Sequence, residues 1–191
     1  EGAWDALPAD NRQVIIAGFG RFGQIIARIL RARRIPFTAL EISADQVSFV
    51  RNYGNQVYYG DASRLELLQA AHADRAVAFV LAIDDVEASV RTAEMVRRHF
   101  PNLRIYARAR NRSHAYRLME LGINVVWRET FLTALDMARE LLIHLGLSEY
   151  AADRSVRLFR ENDEQRLYSL YGEHQNEERM RELAKKAAKE L

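Results

Sequence analysis

Short apolar runs alternate along this chain with longer stretches whose apolar residues recur every three or four positions. Val14–Ile15–Ile16–Ala17 is apolar throughout and runs into Gly18, the pattern of a strand covered on both faces. Ile25, Ile26, Ile29 and Leu30 then fall on one stripe of a helix. Arg31–Ala32–Arg33–Arg34 closes that helix with cations, which suit its negative end. Phe37–Leu40 follows Pro36 as a second strand, Val57–Tyr59 is a third, and Ala76–Ile83, apolar throughout and therefore central, is a fourth. Leu103–Ala109 and Val125–Trp127 are the fifth and sixth.

The intervening helices carry their own punctuation. Ser43 with Gln46 spells a capping box for a helix that Gly54 ends, and Ser63 with Glu66 spells another for the helix of Leu65, Leu67 and Leu68. Asp84–Asp85 opens a long helix to Phe100, stopped by Pro101. Ser113–Leu121 and Phe131–Leu145 are helices closed by Gly122 and Gly146. Six strands, five helices between them and one after predict an α/β fold: a doubly wound parallel Rossmann sheet in the order 3-2-1-4-5-6.

Residues 1–12, with Pro8 and Asp10, read as the end of a linker. Residues 13–147 form the Rossmann-type nucleotide-binding domain, and 148–191 a charged helical extension. In the extension Tyr150–Tyr171 is one helix with Val156, Phe159, Leu167 and Leu170 as apolar positions. Gly172 breaks it, and Glu177–Leu191 is a second helix. Neither has the apolar residues for its own core, so both are expected to pack on the Rossmann body or a partner subunit.

Composition narrows the function. Of the 191 residues 49% are hydrophobic, enough for a sizeable core, yet no run approaches transmembrane length and no signal-peptide pattern opens the chain. Without cysteine there is no disulfide and no thiolate metal ligand or nucleophile, which fits a reducing cytosol. The net charge of +2, with basic and acidic residues mixed, argues against a nucleic-acid binder.

Between the first strand and helix lies Gly18–Phe19–Gly20–Arg21–Phe22–Gly23, a G-x-G-x-x-G turn. Gly18 allows the tight turn, Gly20 lets backbone approach a phosphate, and Gly23 lets the helix lie close on the strand. The N–H groups opening that helix point at an anion. Glu41, eighteen residues after Gly23, ends the second strand. A carboxylate there accepts both ribose hydroxyls and repels a 2′-phosphate. The other side chains sent to the carboxyl ends of the strands are Arg21, Asp61 with its neighbour Ala62, Asp84 and Arg108. Arg21 is either a phosphate donor or a solvated arginine. Asp61 accepts from an adenine amino group or opens a helix, and Asp84 reaches a ribose or caps one.

Catalytic equipment is missing. His72, His99, His114, His144 and His174 are scattered, read as surface or helix-end residues, and make no metal-ligand spacing; no Walker A motif or nucleophile elbow is present. A nucleotide site without chemistry suits a sensor rather than an enzyme.

The glycine loop, Gly60–Asp61–Ala62, Ile83–Asp84–Asp85, Ala107–Arg108–Ala109–Arg110 and Arg128–Glu129–Thr130–Phe131, in this order, resemble the KTN (RCK-type) regulatory domain of bacterial Kef glutathione-gated potassium efflux systems. The resemblance covers about residues 13–147 and continues through Phe159–Asp163. It implies the regulatory domain of a membrane potassium/proton antiporter at the cytoplasmic face of the bacterial inner membrane, with AMP or NAD(H) in the cleft. It implies a homodimer formed by exchange of the last Rossmann helix, with glutathione closing the transporter and glutathione conjugates opening it. It also implies the membrane antiporter domain in the same chain and a flavodoxin-like quinone oxidoreductase as an accessory subunit. Carried over residue by residue, Arg28 and Arg128 hold glutathione carboxylates. Asp163 stands where the family often has a contacting asparagine, and as an acid it needs a donor such as the peptide's ammonium. Tyr53 falls at the aromatic position displaced by bulky conjugates, or simply packs in the core. Two other readings stay open: an NAD-linked oxidoreductase fragment, and a Trk-type potassium uptake subunit.

Overall fold

The computed structural model describes residues 13–51, 56–123 and 125–187. Six strands, β1 (Gln13–Ala17), β2 (Phe37–Glu41), β3 (Gln56–Tyr59), β4 (Ala76–Leu81), β5 (Arg104–Ala109) and β6 (Val126–Arg128), form one sheet in the order β3-β2-β1-β4-β5-β6. The ladders β1–β2, β1–β4, β2–β3 and β4–β5 are parallel. Helices α1 (Arg21–Ala32), α2 (Ala44–Arg51), α3 (Leu65–Ala70), α4 (Val86–His99) and α5 (Arg112–Glu120) alternate with the strands. The doubly wound sheet expected from the alternation is the one found.

Side chains on neighbouring strand positions go to opposite faces, and two cores result. Ile15 and Ala17 of β1 join Phe79, Leu81 and Ile105 and meet Leu68, Val90, Ala93, Val96 and Leu118 from α3, α4 and α5. Ile16 points the other way, with Ala39, Val80 and Ala82, toward Ala27 of α1 and Val47 of α2. The α1 stripe is wider than its core contact: Ile26 and Leu30 pack inward with Phe22, while Ile25 and Ile29 are about 60% exposed.

One capping expectation changes, at α3. Asp85 caps α4 as its acid suggested, its carboxylate accepting from the Ala88 N–H at 2.7 Å. At α3 the N-cap is Arg64, without a side-chain cap bond, because Ser63 turns back and gives its N–H and hydroxyl to Asp61. Helix α2 begins at Ala44, where the Ser43 N–H is taken by Glu41; the Gln46 side chain and Gly54 lie outside the described residues. Asn111 caps α5, its side chain accepting from the His114 N–H, so the helix starts one residue before Ser113.

The chain divides into two compact units, Glu1–Trp127 and Arg128–Leu191. In the second, α6 (Phe131–His144) packs with α7 (Glu149–Ala187). Gly172 does not break α7: a single helix runs through it. One glycine in a helix interior costs about 1 kcal/mol, too little to stop a helix rich in Glu, Arg, Lys, Leu and Ala. Ala152 and Leu167 are buried, whereas Phe159 and Leu170 stay exposed.

Among the described glycines, the tightest approach to neighbouring backbone is in the glycine loop. Gly18 has φ +90°, and a Cβ there would lie 2.7 Å from the Ile83 nitrogen. A Cβ on Gly23 would lie 2.2 Å from the Gly18 carbonyl oxygen. That neighbour is backbone and cannot swing aside. Gly23→Ala is therefore expected to destabilise the domain by about 3 kcal/mol or more, measured by urea denaturation; a loss below about 0.5 kcal/mol would show that α1 can move away without cost.

Candidate functional site

The first turn of α1 has no side-chain cap and no acidic residue, and Gly20 is its N-cap. A helix start of this kind presents N–H groups to an anion. Gly20 lies at φ −73°, ψ −165°, backbone open to any residue, and a Cβ there would meet nothing within 4 Å. Among the described residues, no packing or conformational need requires glycine at this position.

Glu41, buried at the end of β2, accepts the Phe19 N–H on one carboxylate oxygen at 2.6 Å and the Ser43 N–H on the other at 2.8 Å. It thus ties the glycine loop to β2, a role that its place in the motif did not announce. Gln24 donates to the Phe19 carbonyl at 2.9 Å, and the Phe19 ring stacks on Phe37 at 6.3 Å. Asp61 follows β3, with Ala62 buried beside it. Its Oδ1 accepts the Ser63 N–H at 2.8 Å and hydroxyl at 2.7 Å, and the Ser63 N–H is the main reason its carboxyl sits below the ordinary carboxylate range. Asp61 therefore organises its own turn and is not the cap of α3.

Arg108 is buried at the end of β5. It donates to the Ala82 carbonyl at 3.2 Å and to Asp84 at 2.7 Å, with its guanidinium 5.4 Å from the centre of the Phe22 ring. Asp84 is 3.6 Å from Arg110 as well. Asp84 is thus a partner for arginines, and the capping role belongs to Asp85. Arg21 is exposed at the start of α1, and Arg28 is exposed further along it.

Of the two readings for the histidines, surface or helix end, His114 takes the second: it lies in the first turn of α5. It is buried, not a surface histidine. Its Nδ1 accepts the Arg110 N–H at 3.1 Å, so Nε2 carries the proton toward the Ser89 hydroxyl at 3.0 Å. This bond pins the backbone of Arg110, two residues beyond Arg108. Burial, then the charges of Arg117 and Arg108, lower its pKa, against a smaller opposite pull from Glu87. The sequence signal was available in outline: Asn111 caps α5, and that places His114 in the first turn.

In the second unit Arg128 donates to Asp163, and both side chains are largely buried, at 13% and 14% exposure. The Arg128 guanidinium lies 4.0 Å from the centre of the Phe131 ring, which is 6.4 Å from that of Phe159. The donor that Asp163 needs is supplied by the protein itself. Tyr53 lies outside the described residues.

Residues 14–129 match the TrkA-N domain family. The chain belongs to that family. Residues 133–191 match the C-terminal domain of the potassium efflux system KefB. A Kef CTD from Shewanella denitrificans, solved in AMP-bound form, is 40% identical over 84% of this chain and 98% of that one, with a TM-score of 0.78. The TrkA-N domain of the inner membrane protein ybaL from Escherichia coli is 27% identical over 69% and 96%, with a TM-score of 0.62. The GsuK RCK domain is 25% identical over 62% and 25%, with a TM-score of 0.56. This is a TrkA-N/KTN-type RCK domain related to Kef potassium efflux systems, a family of regulatory rather than catalytic domains. Among the described residues no cluster of three or more His, Cys, Asp or Glu could hold a metal, and no helix is long and apolar enough to cross a membrane.

The TrkA-N unit should carry an acid sensitivity from His114. Its folded pKa is below the unfolded value of about 6.5, so the unfolded state binds more protons between the two. Stability from this group is present above about pH 6.5 and is lost as pH falls toward the folded pKa. Urea denaturation at pH 8 and pH 5 should show this loss in the wild type and a smaller one in His114→Gln. Equal losses would place the acid sensitivity elsewhere.

Proposed function

We propose that this TrkA-N chain is the sensing domain of a potassium/proton antiporter of the Kef type, with AMP or NAD(H) in the glycine-loop cleft and glutathione as regulatory ligand. Gly20 carries the nucleotide half of the reading: glycine stands where the protein's own packing makes no demand for it, at the uncapped start of α1. The missing Cβ leaves room for a phosphate to meet the N–H groups of Gly18–Gly23. Arg21 and Arg108 supply positive charge. Glu41, held by two main-chain N–H groups, is a fixed acceptor for ribose hydroxyls. Asp61 accepts from the adenine amino group, with Ala62 against the base, and Asp84 serves a ribose while steadying Arg108. That a relative 40% identical was solved with AMP supports this assignment.

The glutathione half rests on Arg128, a guanidinium in a largely buried setting already selective for a carboxylate. Arg28, exposed on α1, offers a second guanidinium. Glutathione favours the closed state of the transporter and bulky S-conjugates the open one, with Tyr53 as the displaced aromatic. A shift of this kind needs only a difference in affinity between two states. The exposed Met137 and Leu141 of α6 and Leu145 at its end are apolar residues that a homodimer with exchanged last helices would cover. The transporter's membrane domain belongs to the same chain, the sensor lies at the cytoplasmic face of the inner membrane, and a flavodoxin-like quinone oxidoreductase is the accessory subunit. The KefB C-terminal match over residues 133–191 favours this over a Trk-type uptake subunit.

Gly20→Ala should keep stability within about 0.5 kcal/mol of wild type and weaken AMP and NADH binding at least tenfold by calorimetry; unchanged affinity for both nucleotides would remove them from the loop. Arg128→Ala should weaken glutathione binding at least tenfold while AMP binding persists. Equal glutathione affinity in both proteins would remove Arg128 from that site.

A further inference from the structure

We propose that His114 is a proton-operated latch on the glycine-loop cleft: a proton taken up at Nδ1 releases the turn that carries Arg110, so that nucleotide and proton exclude each other. The inference rests on the nucleotide reading above and adds a regulation to that site. His114 is not itself one of the groups assigned to the nucleotide, yet it holds the two segments that carry several of them. Its Nδ1 accepts the Arg110 N–H at 3.1 Å, in the turn after β5, and its Nε2 faces the Ser89 hydroxyl of α4 at 3.0 Å. Asp84 stands just before α4 and Arg108 near the end of β5. These two meet at 2.7 Å, and the Arg110 guanidinium is 3.6 Å from the same carboxylate. One buried ring thus fastens the segment that supplies the cleft's acid to the one that supplies its arginines.

The latch has two positions because of where the proton goes. Neutral, the ring accepts at Nδ1 and donates at Nε2; protonated, it donates at both. The Nε2 bond to Ser89 survives that change. The Nδ1 bond does not, since two N–H groups then face each other and the Arg110 N–H must seek another acceptor. The rest of the α4–α5 contact stays. Val90, Ala93, Ala115 and Leu118 share one core, and Glu87 accepts from Arg117 on both carboxylate oxygens, at 2.5 and 2.9 Å. What is freed is the turn, and with it the placement of Arg110 against Asp84. The charged groups around the ring are Arg117 of α5, Arg108 and Arg110 of β5 and its turn, and Glu87 of α4. Burial, and three cations against one anion, favour the neutral, latched form. A charged imidazole would by itself draw a phosphate, but it adds to a site that already holds two arginines, whereas release of the turn takes their alignment away. A nucleotide that needs that alignment binds the latched state better, and by reciprocity it opposes the proton.

NMR titration of the histidine rings, on the whole chain free and saturated with NAD⁺, tests this. NAD⁺ is the probe because its phosphates carry no proton that titrates near neutrality, whereas the AMP phosphate has one at about pH 6. The His114 signal, identified by its loss in His114→Asn, should titrate at lower pH when NAD⁺ is bound, by an amount equivalent to about tenfold weaker NAD⁺ binding in the protonated chain. By calorimetry, NAD⁺ affinity should fall with pH in the wild type. It should stay level within about twofold in His114→Asn, whose side-chain oxygen replaces Nδ1 as an acceptor that does not titrate. A ring whose titration is unmoved or raised by NAD⁺, a ring that stays neutral until the chain unfolds, or an equal fall of affinity in both proteins overturns the latch. Absence of NAD⁺ binding at pH 8 and millimolar concentration overturns the dinucleotide reading itself, and the latch with it. Should His114→Asn fail to fold by circular dichroism, the signal is identified by backbone assignment and the shift in the wild type alone decides.

Discussion

The contact of α1 with the end of β1, backbone against backbone at Gly18 and Gly23, governs where every group of the cleft can lie. Because no side chain separates the two, the start of α1 sits directly beyond the sheet, with its N–H groups at the carboxyl ends of β1 and β4. Phe19 is carried toward β2, where the Glu41 carboxylate takes its N–H. Phe22 comes under Arg108. Remove the close approach and the acid at the end of β2 loses the loop it holds, while the buried arginine loses its ring. The cleft is a consequence of packing before it is a consequence of charge.

Charge then refines it, and the two buried arginines are handled differently. Arg108 is held by a main-chain carbonyl and an aromatic face as well as by Asp84, whose side chain is 70% exposed. Asp84, being exposed, can exchange partners with water at low cost. Arg128 depends on Asp163 for its counter-charge, with both side chains withdrawn from water. Breaking a buried pair from one side costs on the order of 3–5 kcal/mol, so the pair is a structural tie as well as a charge balance.

His114 links the first site to the fold around it. Its ring accepts from the Arg110 backbone at Nδ1 and faces Ser89 of α4, so the turn after β5 is fastened to the helix that precedes β5 through a group that cannot be protonated without losing one of those bonds. Both His114 and Ser89 are buried, and that burial disfavours the charged imidazole, lowering its pKa.

The sequence by itself determined the alternation of strands and helices, the strand order, the glycine loop, Glu41 at the end of β2 and Asp85 at the start of α4. Each rests on residues a few places apart: a strand's apolar run, a glycine spacing, an acid just before a helix. Chain geometry converts such spacings into structure with few alternatives. Tertiary structure decided the rest. Nothing local distinguishes Ile26, which packs inward, from Ile25, which faces out. Ser63 had an acid at the right distance for a capping box, but the nearer Asp61 took its donors. Gly172 had the look of a break, yet its cost is smaller than what the rest of α7 supplies. Asp84 with Arg108, His114 with Ser89 and Arg128 with Asp163 each join residues more than twenty positions apart. Such pairs have no spacing to read, because what brings them together is the burial of apolar surface across the whole chain.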